Sequence, residues 1–353
     1  MRLSTFLYGF LETVFYRIHI RLCIGDFVMS YELVTDSASN LTKDLLDKYG
    51  IRMISYHVSL DDADYACYDP DRDYAEAGRH FYERMRNGAR VSTSLVNTAS
   101  FEDFFRPLLS EGKDIIFVGI SGGLSGTVQA ARIAAEDLKE EYPDRRIEVI
   151  DSMGASLGEG LMVIGLSRLR ADGATIDEAV EWYEANKMDM NHVFTVDDLK
   201  YLQRGGRISA AEAIVGSILS IKPVLQASDE GKIIAFTKMR GRKKALKEIA
   251  DQTIKHIVHP EDQVIGIAHC DAPEDAEYVA SLVREACPVQ DIVIRYYDIC
   301  TGTHVGPGTV AIFFMGKGRD LNDTADSFIP QAIKGLKDSA GKLIGPRKVT
   351  ETA

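Results

Sequence analysis

From residue 31 onward the chain alternates short apolar runs with longer amphipathic stretches. The apolar runs predict strands at 31–34, 51–60, 115–120 and 147–150. Helical spacing between them predicts helices over 41–49, 74–87, 101–111 and 127–140, with Asn40 capping the first and Gly88 ending the second. Residues 61–72 are acidic and read as a loop. A long apolar helix is expected around 156–171, and Thr175-Ile176-Asp177-Glu178 has the form of a capping box opening a helix to about 187. Strands that alternate with helices imply a parallel sheet with crossover helices.

The second half is also mixed. Strands are predicted at 192–196, 232–238, 264–268, 292–297 and 310–315, and helices over 209–220, 242–256 and 274–286. Residues 300–309 read as a loop holding one His in a tight turn. The expected class is α/β, with two α/β domains, the first built on a mainly parallel sheet. The change of domain is placed near 190, giving domains over 30–190 and 191–318, an N-terminal extension over 1–29 and a tail over 319–353.

The extension is apolar and aromatic, but Arg2, Glu12, Arg17 and Arg21 interrupt it. No uncharged run approaches the roughly 18 residues that span a bilayer. No small-residue cleavage site of a signal peptide is evident. Met29 stands just before the first predicted strand, so it is read as an alternative start of translation. An amphipathic helix making transient membrane contact is the other reading of this segment.

Composition narrows the function classes. A length of 353 residues agrees with two domains. The 41 Lys and Arg against 53 Asp and Glu leave a net charge of −12, which disfavours nucleic acid as a partner. The basic cluster Arg240, Arg242, Lys243, Lys244 and Lys247 reads as a solvated helix face, with a docking patch for a partner protein as the alternative. Cys23, Cys67, Cys270, Cys287 and Cys300 are widely spaced and form no CxxC. This argues against a disulfide framework or a metal site, and for the reducing cytoplasm.

Candidate chemistry gathers at the carboxyl ends of predicted strands, where open parallel sheets bind ligands. Thr35-Asp36-Ser37 and Asp151-Ser152 are explained equally well by turn and cap chemistry. Ser121-Gly122-Gly123-Leu124-Ser125-Gly126-Thr127 is richer, because glycines and hydroxyls at a helix N-terminus suit an anion. Thr127 stands where a phosphate-binding P-loop has Lys, and GxGxxG is absent, so no nucleotide cofactor is expected. Gly119-Ile120-Ser121-Gly122-Gly123 matches the GxSxG elbow. A serine hydrolase using Ser121 and His304, with Asp271 or Asp298 as the carboxylate, is therefore the alternative function.

Three further segments sharpen the picture: Val91-Ser92-Thr93-Ser94, the run DLKYLQRGGRIS at 198–209, and GTHVGPGT at 302–309. Taken in order with TDS at 35–37, LSGT at 124–127, DS at 151–152 and KPVL at 222–225, they resemble the DegV family of bacterial fatty-acid-binding proteins. The resemblance runs from about residue 31 to 318. It implies two α/β domains with a lipid held between them, and a protein that is not an enzyme by itself. It implies a bound long-chain fatty acid, no other cofactor, and a kinase partner that phosphorylates the carboxylate, this chain being the fatty-acid-binding subunit. By the same resemblance Thr93 and Ser125 hold the carboxylate, while Arg207 and His304 lie beside the head group and add positive charge where phosphate develops.

Two departures from the family pattern stand out. Leu95-Val96-Asn97 follows Thr93-Ser94 where the family usually has Gln-Pro-Ser, and Gly122-Gly123 replaces a second Ser before LSGT. Both bear on the shape of the pocket and on acyl-chain preference, and neither removes the hydroxyls at 93 and 125.

Overall fold

The structure, a computed structural model, describes residues 31–61, 63–208 and 221–321. The extension, the helix expected over 209–220 and the tail from 322 lie outside the described residues. In chain order, β1 (Tyr31–Asp36) leads through a 3-10 turn, Ser37–Ser39, to α1 (Lys43–Tyr49) and β2 (Ile51–Ile54). Next come β3 (His57–Leu60), β4 (Ala63–Ala66), α2 (Tyr74–Arg86), β5 (Val91–Ser94) and α3 (Thr98–Ser110). β6 (Asp114–Gly119), α4 (Thr127–Glu141), β7 (Ile147–Asp151), α5 (Ser156–Ala171) and α6 (Ile176–Asn186) complete the first half. The second half runs β8 (Met190–Thr195), α7 (Lys200–Arg204), β9 (Ile221–Ala227), β10 (Ile233–Arg240), α8 (Arg242–His256) and β11 (Val264–His269). It ends with α9 (Pro273–Ala286), β12 (Asp291–Tyr296), α10 (Ile299–Val305) and β13 (Val310–Met315).

The first half carries a parallel sheet of order β2-β1-β6-β7 and a small antiparallel sheet of order β4-β3-β5. Leu33 pairs with Ile51 on one side and Ile116 on the other. β1 and β6 are buried on both faces, which is why they read as continuous apolar runs. Phe101 and Phe105 of α3 pack edge-on against Phe117 of β6, with centroids 4.9 and 6.1 Å apart. The second half carries a six-stranded sheet, β10-β9-β8-β13-β11-β12, antiparallel except where β11 lies beside β12. α8 and α9 cover its outer face through Leu246, Ile249 and Val279.

α5 holds the two halves together. It packs on β1 and also on β8, β11 and β13. A helix with apolar residues on more than one face suits such a double burial, and its Leu157, Met162, Val163 and Leu166 are buried. One continuous core therefore includes Leu33, Ile116, Leu157, Phe194, Leu202 and Phe313.

Several expectations are corrected. The strand expected over 51–60 divides at Ser55–Tyr56, because Tyr56 N–H donates to Ser37 Oγ at 3.0 Å rather than to a ladder. β3 then enters the small sheet, and the acidic loop at 61–72 contains its partner β4. Asn40 does not cap α1, whose N-cap is Thr42. It ends the 3-10 turn with a φ of 61° and accepts from Asp298 N–H, joining the two halves. The loop expected at 300–309 holds helix α10, capped by Asp298 accepting from Thr301 N–H at 2.8 Å. Gly302 is there because a Cβ would overlap the Tyr82 hydroxyl, not because the chain turns. Arg319 and Leu321, at the start of the expected tail, are buried.

Candidate functional site

Thr93 lies on β5 and His304 on α10, and their Oγ1 and Nε2 atoms are 2.9 Å apart. His304 Nδ1 is buried without a partner, facing Gly205, where any Cβ would overlap it. Burial first, and then the Arg207 guanidinium, push the imidazole down to about 4, so it is neutral at pH 7. The expectation that His304 adds positive charge is therefore corrected for this state: the charge there belongs to Arg207. With nothing to accept a proton at Nδ1, the ring hydrogen is best placed on Nε2 and donated to Thr93. The threonine hydroxyl hydrogen is then free for an acceptor ligand.

Ser125 lies in the loop between β6 and α4. Its Oγ is 3.0 Å from Thr127 Oγ1 and 3.5 Å from the Tyr56 hydroxyl. Asp36 anchors this loop, accepting from Ile120 N–H at 2.9 Å and from Ala38 N–H at 2.8 Å. Burial pushes Asp36 up to about 7 and Glu159 well above the carboxylate range. Thr35 Oγ1 donates to Glu159 Oε1 at 3.0 Å. The TDS and DS segments thus build the site from behind. Asp151 Oδ2 accepts from Gly122 N–H at 3.0 Å, and Ser152 Oγ donates to Gly154 O at 3.1 Å. Arg207 Nε donates to Leu124 O at 3.1 Å, and its Nη1 donates to Gly205 O.

Thr93, Ser125, Arg207 and His304 all line one cavity of about 210 Å³, where about 10–15 Å³ would hold a single water. It lies between the two halves of the chain. Leu95, Ile120, Phe194, Leu202 and Phe313 make much of its wall apolar. Thr93 and Leu95 also line an open groove of about 880 Å³ on the outside. Thr93 therefore stands between the cavity and the outer groove. The Gly122-Gly123 departure has a steric reason: a Cβ at Gly123 would come within 2.7 Å of Glu230 O, and one at Gly122 within 2.7 Å of Asp151 Oδ2.

The hydrolase alternative is not supported. Ser121 is fully buried; its Oγ donates to Gly231 O at 2.8 Å and accepts from Gly123 N–H at 3.1 Å. His304 is on Thr93 instead, Asp298 caps α10, and Asp271 pairs with Arg86. Two members of the basic cluster are ion-paired, Arg242 with Asp275 and Asp197 and Lys247 with Asp251, while Lys243 lies over the Tyr278 ring. Among the described residues, no helix is long and apolar enough to cross a membrane.

Tyr56 and His192 also line the cavity, and no sequence motif marks either of them. Tyr56 falls inside the strand expected over 51–60 with no motif around it, and His192 reads only as the start of the strand expected over 192–196. Both reach the site through contacts distant in the chain.

The DegV family model matches residues 30–317. A DegV domain-containing protein of Clostridium perfringens is 41% identical over 290 residues, which cover 82% of this chain and 99% of the relative. The fold is similar to that of a fatty-acid-binding DegV family protein from Thermus thermophilus, with a TM-score of 0.72 and 30% identity over 82% of this chain and 100% of the other. It is likewise similar to DegV, a fatty acid binding protein from Bacillus subtilis, with a TM-score of 0.67 and 26% identity over 82% and 100% of the two chains. With its ordered motifs, its two α/β halves and a family match over most of its length, the chain belongs to the DegV family.

Proposed function

We propose that this protein binds one long-chain fatty acid in the cavity between its halves, with the carboxylate on Thr93 and Ser125, and presents it to a partner kinase for acyl-phosphate formation. The observation that carries this reading is the shared position of Thr93, in the wall of the mostly apolar cavity and in the open groove outside. A carboxylate there is held by hydroxyls and reachable by a partner, while the chain is buried. The Thermus thermophilus and Bacillus subtilis proteins of the same fold bind fatty acids. On this reading the domains divide near residue 190, no cofactor is needed, and the protein works in the cytoplasm beside an ATP-dependent partner.

The energetics are consistent with it. About fourteen methylenes of a sixteen-carbon acid, at about 0.8 kcal/mol each, give roughly 11 kcal/mol gross. Lost freedom on binding takes back several of these. The tail then supplies most of the affinity, and the hydroxyls fix the register. The guanidinium of Arg207 stands where phosphate charge develops.

The test is a coupled assay with a cognate fatty acid kinase and ATP. Arg207→Ala is expected to keep fatty-acid affinity close to wild type and to lose most acyl-phosphate formation. Loss of binding in that variant, or full turnover, contradicts the assigned role.

A further inference from the structure

One end of the cavity is built as a rung across four neighbouring strands. Phe313 of β13 pairs with His192 of β8, and Ala227 of β9 pairs with Ile233 of β10. The β8–β9 register pairs Val193 with Gln226, so one step further His192 and Ala227 come opposite each other. All four residues line the cavity. Phe313 and His192 are buried, while Ala227 and Ile233 are half-buried toward solvent. Along β8 the cavity-facing residues alternate with the pleat. Phe194 lines the cavity nearer along the chain to α7 and Arg207, and His192 lines it one repeat further back along β8. The next residue on that face, Met190, is buried in the core, and its partner Met315 packs against the same core. Neither lines the cavity, so on this face the wall stops at His192 and Phe313.

The His192 ring is fixed there. Its Nε2 accepts from Ala155 N–H at 3.3 Å, and its Nδ1 lies 3.2 Å from Met190 O, to which a neutral ring donates. Phe313 stands edge-on to it, with centroids 5.3 Å apart. Gly154 and Gly158 close over the other side, and a Cβ at either would overlap Nε2. Burial, reinforced by Arg319, pushes this imidazole down to about 3, so it stays uncharged. An uncharged ring whose two nitrogens are both engaged offers an acyl chain only a hard wall.

We infer that His192, backed by Phe313, is the stop against which the methyl end of the acyl chain rests, and that it sets the longest chain the protein accepts. This rests on the fatty-acid reading above. It adds the residue that measures length, at the end opposite to the carboxylate.

The test uses the full chain and a series of saturated fatty acids of increasing length, with dissociation constants measured for each. Wild type is expected to tighten with length up to a limit and then to weaken. His192→Ala is expected to extend that limit by about two carbons and to bind the first acid beyond the wild-type limit about tenfold more tightly, the value of roughly two buried methylenes. Ala227→Leu adds bulk to the same rung at a half-exposed site, keeps the hydrogen bonds of His192, and is expected to shorten the limit. If wild type binds these acids and folded variants keep the wild-type limit, the stop is wrong and the fatty-acid reading stands. If wild type binds none of them, the fatty-acid reading fails and the stop with it.

Discussion

Thr93 Oγ1 and His304 Nε2, 2.9 Å apart, join a strand of the small sheet in the first half to a short helix in the second. The pair unites two residues to which the family resemblance gives separate tasks. His304 orients the hydroxyl proposed to hold the carboxylate, so on that reading the two act as one unit in binding.

The first prediction follows from this coupling. Thr93→Ala, Ser125→Ala and His304→Ala should each weaken fatty-acid affinity by about 1–3 kcal/mol, leaving burial of the tail intact. The Thr93→Ala/His304→Ala double variant should lose less than the sum of its singles, by about 0.5 kcal/mol or more. Titration calorimetry of the four-corner cycle measures this. Strict additivity would mean that the hydrogen bond has no part in binding.

A second prediction concerns Gly205 and Gly206. Gly205 has ordinary φ, −74°, so alanine there is unstrained in backbone and fails only because its Cβ would overlap His304 Nδ1. Gly206 has φ +73° and open space around a Cβ, so alanine costs about 1–2 kcal/mol of backbone strain and leaves His304 in place. Gly205→Ala should weaken fatty-acid binding, whereas Gly206→Ala should lower the melting temperature with affinity unchanged. Equal affinities in the two variants would contradict the placement of His304.

Much of this architecture was legible in the pattern of residues. The helix expected at 156–171 and the one at 242–256 have those bounds in the structure, because their apolar periodicity is uninterrupted and their ends are marked by polar residues and glycine. The segment 300–309 reads as a loop because Gly302 looks like a turn residue. Its absent side chain serves contact with Tyr82, which is more than 200 residues away in the chain. The break at Ser55–Tyr56 depends on the hydroxyl of Ser37, again a contact that local spacing does not reveal. Thr93, Ser125, Arg207 and His304 were legible through their motifs, while Tyr56 and His192 are defined only by what the fold brings against them.

The third prediction is a pH dependence. Folding holds His304 near 4, below its ordinary 6.5, chiefly by burial. Between those values the unfolded chain binds more protons at this site than the folded one. Its contribution to stability is therefore present above about 6.5 and is lost as pH falls through about 4. The gap in melting temperature between wild type and His304→Gln should shrink as pH is lowered from 7 to 4. Asp36 and Asp298, both pushed up to about 7 by burial, act in the opposite sense, but they are common to both proteins and cancel in the difference. A gap that does not change with pH would contradict the neutral, buried imidazole.

Ser121 supplies a fourth prediction. Its hydroxyl ties the loop after β6 to Gly231, so Ser121→Ala should destabilise the fold by about 1–3 kcal/mol by leaving buried groups unpaired. A serine-directed phosphonate should not label wild type, and a chromogenic ester should not be cleaved. Labelling at Ser121 would reopen the hydrolase reading.

The most direct test of the central claim is mass spectrometry of the organic extract of the purified protein. The account predicts about one fatty acid per chain, recovered reproducibly from independent preparations and displaced by added long-chain acid. Extracts with no fatty acid above background, from protein that also fails to take up added acid, would contradict it.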